Sequence, residues 1–336
     1  MTTLSTGSRR PTLLDVAAHA GVSKSLASLA LRGDTGVSDR TRERILASAD
    51  ALGYRSNTLA RALKQGRSML LGVVLSSLDN PYHTEIVASV EAAAEADGLS
   101  VLLAHGSRDR GHLAGRVQQL LDLAVDGLVV VSSWVEPEVL TAAARRAPVV
   151  VVGRPAAPVA GVDLVNNDDE RGAALVVDHL VATGRTRIAH VTGSRRPAGT
   201  ARRRGYEAAM RDHGLGDRVR VVEHDGAVPP LDPLLAAGYD AVFARNDVEA
   251  FDVLDRAHDL GLRVPYDLAV VGYDDTALAT RARPRLTSVQ QQRELMGRRA
   301  VELLRERAGG RREDVHEVLA PTLVVRGSSA RPAEAG

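Results

Sequence analysis

The stretch D15-VAAHAGVSKSLASLALR-G33 lies close to the start of the chain and carries two short Ala/Leu-rich helical patterns interrupted at Gly21-Val22-Ser23. Thr12-x-x-Asp15 ahead of it reads as a helix N-cap with an acid in the first turn, and Val16, Ala17 and Ala20 form one apolar face. Gly21 supplies a residue that tolerates the left-handed conformation ending a helix, and Ser23 caps the next one, Lys24 to Leu31. Ala27, Ala30 and Leu31 then face inward, while Lys24, Ser25, Ser28 and Leu29 face outward at helical spacing. Ser38 starts a third helix through Thr41, Ile45, Leu46, Ala49 and Leu52. The unit is a helix-turn-helix with a supporting helix, an arrangement that sets the N-terminal end of its second helix in the DNA major groove. An ordinary helical hairpin has the same local pattern, so the surrounding sequence decides between them.

Charge points the same way. The 336 residues carry a net charge of +1, yet Met1 to Ser68 holds eleven Lys/Arg against five Asp/Glu, and the remainder 32 against 37. A basic head on a mildly acidic body fits an anionic partner for the head alone. After Gly53-Tyr54-Arg55 comes N57-TLARALKQGR-S68, in which Asn57 caps a short helix with Leu59 and Leu63 one turn apart, flanked by Arg61 and Lys64. Two turns of helix are marginal alone and order on a surface. One reading is a docked linker helix; the other is a hinge that folds in the minor groove and wedges Leu63 between base steps.

The runs DVAAHAGVS, VSDRTRERILASADALGYRSN and LARALKQGRS, in this order and spacing, resemble the head and hinge of the lactose-repressor (LacI/GalR-type) family of bacterial transcription regulators, and the resemblance continues over nearly the whole chain. Leu26-Ala27-Ser28 stands where that family usually has Thr-Val-Ser, and Leu29 where an Arg or His base reader often sits. These departures leave the class intact and the operator sequence open. The resemblance implies that Thr12, Ser23, Lys24, Ser25, Ser28, Leu29, Asn57, Arg61 and Leu63 meet double-stranded operator DNA.

Beyond Ser68 the period changes. Strand-like runs (MLLGVVL, LSVLLA, DGLVVV, APVVVVG, RIAHVTG, RVRVVE, YDAVFA and DLAVVGY) alternate with helical patterns such as Ile86 to Ala96 and Ala173 to Val181. Near-continuous apolar strands alternating with helices predict an α/β fold with parallel sheets covered on both faces. Eight such strands suit two doubly wound lobes, whose ligands bind beyond the carboxyl ends of the strands. The resemblance implies lobes of periplasmic-binding-protein type that clamp an effector, with three chain crossings between them. It divides the chain into a head at 1–56, a hinge at 57–68 and a core at 69–336. Within the core, lobe 1 takes about 69–166 plus 292–319, and lobe 2 about 167–291 plus 320–336.

Polar groups after the strands are the pocket candidates. Asp79-Asn80-Pro81-Tyr82-His83 follows the first strand, and the family commonly has a similar ligand-lining turn there. Trp134, the only tryptophan, follows DGLVVVSS and offers a flat face for a sugar ring or a base, or simply packs. Arg202 stands where the family carries an effector-ligating arginine, able to fork onto vicinal hydroxyls or a carboxylate. Arg203 and Arg204 read as solvated helix charges. Asn246, Asp247 and Asp274 match family pocket positions, Asn167 occupies one that is usually Asp, and Phe243 reads as core.

Several classes are excluded. There is no cysteine, no apolar run of about eighteen residues and no apolar segment within Met1 to Arg10, so disulfides, a membrane span and a secretory signal are not expected. Nucleotide-binding glycine loops, a serine nucleophile elbow and a zinc-protease motif are missing, and the ten histidines are scattered. Asp168-Asp169 and Asp274-Asp275 resemble acid pairs, but adjacent side chains diverge, and one of each pair is expected to cap the following helix. Neither an enzyme nor a metal or cofactor is expected. The expectation is a cytoplasmic homodimeric repressor of carbohydrate-utilisation genes, switched by a small sugar-like effector on a pseudo-palindromic site. A purine or nucleoside corepressor is the alternative effector, and a solute-binding protein the remoter alternative. The C-terminal run GSSARPAEAG lacks apolar heptads, so no coiled-coil tetramer is expected.

Overall fold

A computed structural model describes residues 11–54, 67–107, 109–193, 196–223 and 231–330. The chain divides into two compact units, Met1–Ser68 and Met69–Gly336. Asn57, Arg61 and Leu63, the hinge candidates, lie outside the described residues.

The first unit contains α1 (Leu13–His19), α2 (Lys24–Arg32) and α3 (Asp39–Ala51). Thr12 and Asp15 form a reciprocal capping box, with the Thr12 amide donating to Asp15 Oδ2 at 2.7 Å. Gly21 turns the chain at φ 63°, and Ser23 Oγ accepts from the Leu26 amide at 3.2 Å to start α2. Ser38 is the N-cap residue of α3, but its side chain makes no cap bond; its hydroxyl donates to Thr41 Oγ1 at 2.9 Å instead. Val16, Ala17, Ala20, Ala27, Ala30, Ile45 and Ala49 close a small core. Arg42 fastens α3 to the end of α2 by donating to the carbonyls of Ala30 at 3.0 Å and Asp34 at 2.6 Å.

The second unit is built on two sheets. The first holds β1 (Leu70–Leu75), β2 (Ser100–His105), β3 (Gly127–Val131), β4 (Val149–Val152), β5 (Val162–Asn167) and β11 (His316–Leu319), in the order β11-β5-β4-β3-β1-β2, all parallel. The second holds β6 (Ile188–Thr192), β7 (Arg220–Glu223), β8 (Ala241–Ala244), β9 (Ala269–Asp274), β10 (Thr287–Gln290) and β12 (Thr322–Val324), in the order β12-β10-β9-β8-β6-β7, with only β12 antiparallel. The chain therefore passes between sheets three times: after β5, after β10 and after β11.

Helices cover both faces of each sheet, which is why the central strands read as continuous apolar runs. Around the first sheet lie α4 (Pro81–Ala96), α5 (Arg110–Asp122), α6 (Pro137–Ala144) and α12 (Arg293–Ala308). Around the second lie α7 (Asp169–Ala182), α8 (Pro197–Asp212), α9 (Leu231–Ala236), α10 (Asp247–Asp259) and α11 (Ala277–Arg281). Each fully buried Val or Leu of these layers contributes about 1.5–3 kcal/mol.

The structure corrects the sequence reading in four strands. Residues 162–167, 287–290, 316–319 and 322–324 are strands that hydrophobic runs do not reveal. In 162–167 and 287–290 polar residues are buried within the strand: Asp163 accepts from Arg307 and Arg311, and the Thr287 amide donates to Ser328 Oγ at 2.8 Å. By contrast, 316–319 and 322–324 are short edge strands, exposed or half-buried apart from Leu319. Helix α4 starts at Pro81 and not Ile86, because Asn80 Oδ1 caps the Tyr82 amide at 3.0 Å and Pro81 suits the first helical position. Helix α7 likewise starts at Asp169, with Asp168 Oδ1 accepting from the Arg171 amide at 3.0 Å. Asp274 and Asp275 cap nothing: they sit at φ 104° and 50°, and Thr276 is the N-cap residue of α11.

Candidate functional site

In the first unit the outward face of α2 presents Lys24 and Ser25 exposed and Ser28 and Leu29 half-buried. Ser28 Oγ accepts from Arg32 at 2.8 Å, so part of its bonding capacity is used within the helix. Thr12 Oγ1 donates to Asp15 Oδ2 at 2.6 Å inside the capping box, and Ser23 serves the cap of α2. Lys24 and Ser25 are the exposed polar side chains of that face, with Leu29 beside them.

The second site is a cleft of about 320 Å³ at the carboxyl ends of both sheets. Doubly wound sheets open a crevice where the strand order reverses, here between β1 and β3 in one sheet and between β6 and β8 in the other. Of the expected residues, Asp79, Tyr82, His83, Asn167, Arg202, Asn246 and Asp274 line it.

Arg202 is the best-fixed of these. Its Nε donates to Asp169 Oδ1 at 3.0 Å, its Nη1 to the Arg245 carbonyl at 2.5 Å, and its Cζ stands 3.6 Å from the centre of the Tyr273 ring. Its Nη2 lies 3.8 Å from Asp274 Oδ1, and both side chains line the cleft. Burial works against the charge, but Asp169, Tyr273 and Asp274 outweigh it and hold the guanidinium above its ordinary pKa. By contrast Arg203 and Arg204 point away, paired with Glu207 at 2.7 Å and Glu170 at 2.7 Å.

The other wall comes from the turn after β1. Ser77 Oγ donates to Asp79 Oδ2 at 2.8 Å, and the His83 ring lies 3.1 Å from the Ser77 carbonyl through Nδ1. That contact assigns a proton to Nδ1, and Nε2 lies 3.5 Å from Ser76 Oγ. Tyr82 packs edge-on to His83, and burial together with Asp274 and Asp169 pushes its phenol above the usual value, so it acts as a neutral donor.

Contacts across the cleft join the two sheets. Arg154, after β4, lies 3.4 Å from Asp169, and Asn167 Nδ2, at the end of β5, donates to the Tyr273 hydroxyl on β9 at 2.8 Å; within the second sheet, Gln291 donates to Asp274 Oδ1 at 2.6 Å. Asn167 Oδ1 is buried and has no hydrogen-bond partner among the described residues. A buried acceptor without a donor is costly, and a ligand hydroxyl or N–H is a group that can satisfy it.

Two expected residues fall elsewhere. Asp247 is 1% exposed and lies behind the cleft wall; it accepts from the Thr276 amide at 2.6 Å, Thr276 Oγ1 at 2.9 Å and Ser288 Oγ at 2.5 Å. It fixes the turn after β9 instead of meeting ligand. Trp134 lines a neighbouring cavity, with the Arg196 guanidinium 3.7 Å above its ring. Asn246 keeps its place on the cleft but spends Oδ1 on the Glu249 amide at 3.0 Å as the cap of α10. Sequence reasoning missed Arg154, Asp169, Arg245 and Gln291 as cleft residues. Only Asp169 carried a signal, as the second member of an acid pair whose first member caps the helix.

Among the described residues no group of three His, Asp or Glu is placed to hold a metal ion, and no helix is long and apolar enough to cross a membrane.

A capped three-helix head with an open basic second helix, together with a two-sheet clamp around a polar cleft, defines a ligand-responsive DNA-binding regulator. Residues 12–57 match the family of bacterial regulatory proteins, lacI family, and residues 177–329 match the periplasmic binding protein-like domain. The chain is 31% identical to the ribose operon repressor of Escherichia coli (strain K12), over 93% of this chain and 94% of that one. It is 36% identical to the HTH-type transcriptional regulator CelR of Thermobifida fusca, over 95% and 98%. Among solved structures it is similar to a Lac repressor dimer bound to operator and the anti-inducer ONPF, with a TM-score of 0.81 at 27% identity, covering 96% of this chain and 100% of that one. The chain belongs to the LacI family of bacterial regulatory proteins. It is a transcriptional repressor and not an enzyme.

Proposed function

We propose that the cleft takes a small sugar that bridges both lobes, and that the chain acts in the cytoplasm as a homodimer repressing carbohydrate-utilisation genes from a pseudo-palindromic operator. The observation that carries the ligand reading is Arg202: a guanidinium held by Asp169, the Arg245 carbonyl and the Tyr273 ring, with Nη2 3.8 Å from Asp274, on a cleft whose lining also brings together Asp79, Asn80, Asn167, Gln291 and the further cations Arg154, Arg196 and Arg245. Guanidinium forks and carboxylates together hydrogen-bond vicinal hydroxyls, which both accept and donate. The names of the ribose operon repressor and of the Lac repressor support a saccharide and a dimer. Asp79, Tyr82, His83, Asn167 and Asp274 are the further contacts proposed, and Lys24, Ser25 and Leu29 the base readers.

A ligand spanning two lobes favours one lobe angle over another, and shifts the equilibrium only by its differential affinity for the two states. Ligand binding and DNA binding are then linked, and the coupling is reciprocal. The test is operator titration with and without saturating saccharide, for the wild type and Arg202→Ala. The variant is expected to bind operator normally without ligand and to lose most of the ligand's influence. A normal response at ordinary ligand concentration would remove Arg202 from the site, and outright loss of DNA binding would make its role structural.

A further inference from the structure

Beside the cleft lies a second cavity of about 450 Å³, walled by Trp134, Glu136, Arg110, Pro155 and Pro197 over an apolar floor of Val135, Leu140 and Val159. The two cavities share Ser133, Arg196 and Arg245, so they are contiguous. Each is within the range of about 300–1,000 Å³ typical of small-molecule sites.

The second cavity has the two features a sugar ring uses. Its flat wall is Trp134, which packs against the core of the first sheet and is held at its amide by Ser132 Oγ at 3.1 Å. Its polar rim is the Arg110–Glu136 pair at 2.5 Å, a donor and an acceptor side by side. The C–H face of a pyranose stacks on an indole while its hydroxyl edge bonds to charged groups. In the structure the exposed side of the indole is covered by the Arg196 guanidinium. That cover is a flexible side chain from the start of α8, and a ring of similar breadth can replace it. At the junction, Arg245 lines both cavities, and its buried Nε, 3.6 Å from Glu249 Oε1, has no hydrogen-bond partner among the described residues, so a small shift of the side chain would let it donate to an oxygen linking two rings.

We propose that the side cavity is a second ring subsite, and that the effector is a two-ring glycoside whose outer ring displaces Arg196 from the face of Trp134. This rests on the sugar reading of the cleft, which a single-ring ligand would satisfy equally well.

The chain has one tryptophan, so its emission reports the side cavity alone. Glucose, ribose, cellobiose, maltose, lactose and adenosine are titrated into the full-length protein, followed by tryptophan fluorescence and by calorimetry. A disaccharide is expected to bind at least about ten-fold more tightly than its component monosaccharide. It is expected to shift tryptophan emission, which the monosaccharide leaves unchanged. Trp134→Ala is expected to reduce the disaccharide to the monosaccharide's affinity, and Trp134→Phe to keep most of the gain. If a monosaccharide binds as tightly as every disaccharide, or a disaccharide binds with silent tryptophan emission, the second subsite is wrong and the sugar reading stands. If no saccharide binds, or only adenosine does, both fall. The wild-type emission decides between these outcomes even if a Trp134 variant fails to fold.

Discussion

Asn167 Nδ2 donates to the Tyr273 hydroxyl at 2.8 Å, tying the last residue of β5 in one sheet to β9 in the other. The bond lies under the Arg202 guanidinium, which stacks on the same tyrosine ring. Tyr273→Phe keeps the ring and its stack but leaves a buried amide donor unpaired. The expected loss is about 1–3 kcal/mol of stability, measured by urea denaturation. Ligand should still act on DNA binding, at reduced affinity, because Arg202 retains its platform. An unchanged midpoint would mean that the hydroxyl contributes nothing to holding the lobes.

How much of this was legible in the sequence depends on how local the cause is. The caps at Thr12, Ser23 and Asp168 and the turn at Gly21 are decided within four residues, and the sequence displays them. Strand β5 is different: VDLVNN can bury Asp163 within the sheet because Arg307 and Arg311, far along the chain, pair with its carboxylate, and nothing local announces those partners. The same holds for the cleft. Arg202 and the turn after β1 could be placed by resemblance, but nothing near Arg245 or Gln291 announces that either reaches the site. Asp247 shows the converse error: a polar residue shortly after a strand need not face the crevice, because as the first residue of α10, directly after its cap Asn246, it is turned behind the cleft wall to Thr276 and Ser288.

Helices α7 and α8 meet at Gly205, where a Cβ would lie 2.3 Å from the Glu170 carbonyl oxygen. Backbone cannot give way as a side chain can, so Gly205→Ala must push the helices apart. Because α8 carries Arg202 and α7 begins at Asp169, the displacement reaches the cleft. The expected cost is about 1–3 kcal/mol of stability, with ligand affinity falling further than the stability loss alone accounts for. Thermal denaturation and ligand titration on the same preparation check it. Normal ligand affinity with reduced stability would show that the Arg202–Asp169 pair moves as one body.

Burial and the neighbouring Asp274 charge push Asp247 up to about 7, although Ser288 and Thr276 donate to it. Burial likewise raises Asp274 to about 6. Carboxyl groups with raised folded pKa favour the native state most below the unfolded value of 3.8, and that advantage is lost as pH rises through the folded pKa. Asp247→Asn removes this titration while keeping an acceptor for Thr276. The stability of the variant relative to wild type is therefore expected to climb between about pH 4 and pH 7 and then level off, by a few kcal/mol at most. A difference independent of pH would mean that the donors around Asp247 fully offset its burial. Comparing the two proteins at each pH cancels the opposite trend from His190, whose buried ring is held down to about 4 and resists protonation in acid.

The outward face of α2 sets the terms for DNA. The segment Met1 to Ser68 carries six more positive than negative side chains, so log affinity for operator is expected to fall linearly with log salt. Lys24 and Ser25 are exposed on that face, and Leu29, half-buried beside them, offers an apolar contact suited to a thymine methyl. Substituting Lys24 or Ser25 by Ala is expected to cost about 1–3 kcal/mol at the preferred operator and to relax preference at one position of each half-site. Leu29→Ala is expected to weaken discrimination for thymine at a neighbouring position while leaving the salt slope unchanged, because no phosphate contact is lost. Lys24→Ala separates the two roles: a relaxed sequence preference with the same slope marks a base reader, whereas uniform weakening with a shallower slope marks a phosphate contact. The measurement is a binding-site selection series for each variant, repeated at two salt concentrations. If all three variants weaken every sequence equally, the helix meets the backbone and the base readers lie elsewhere in the head.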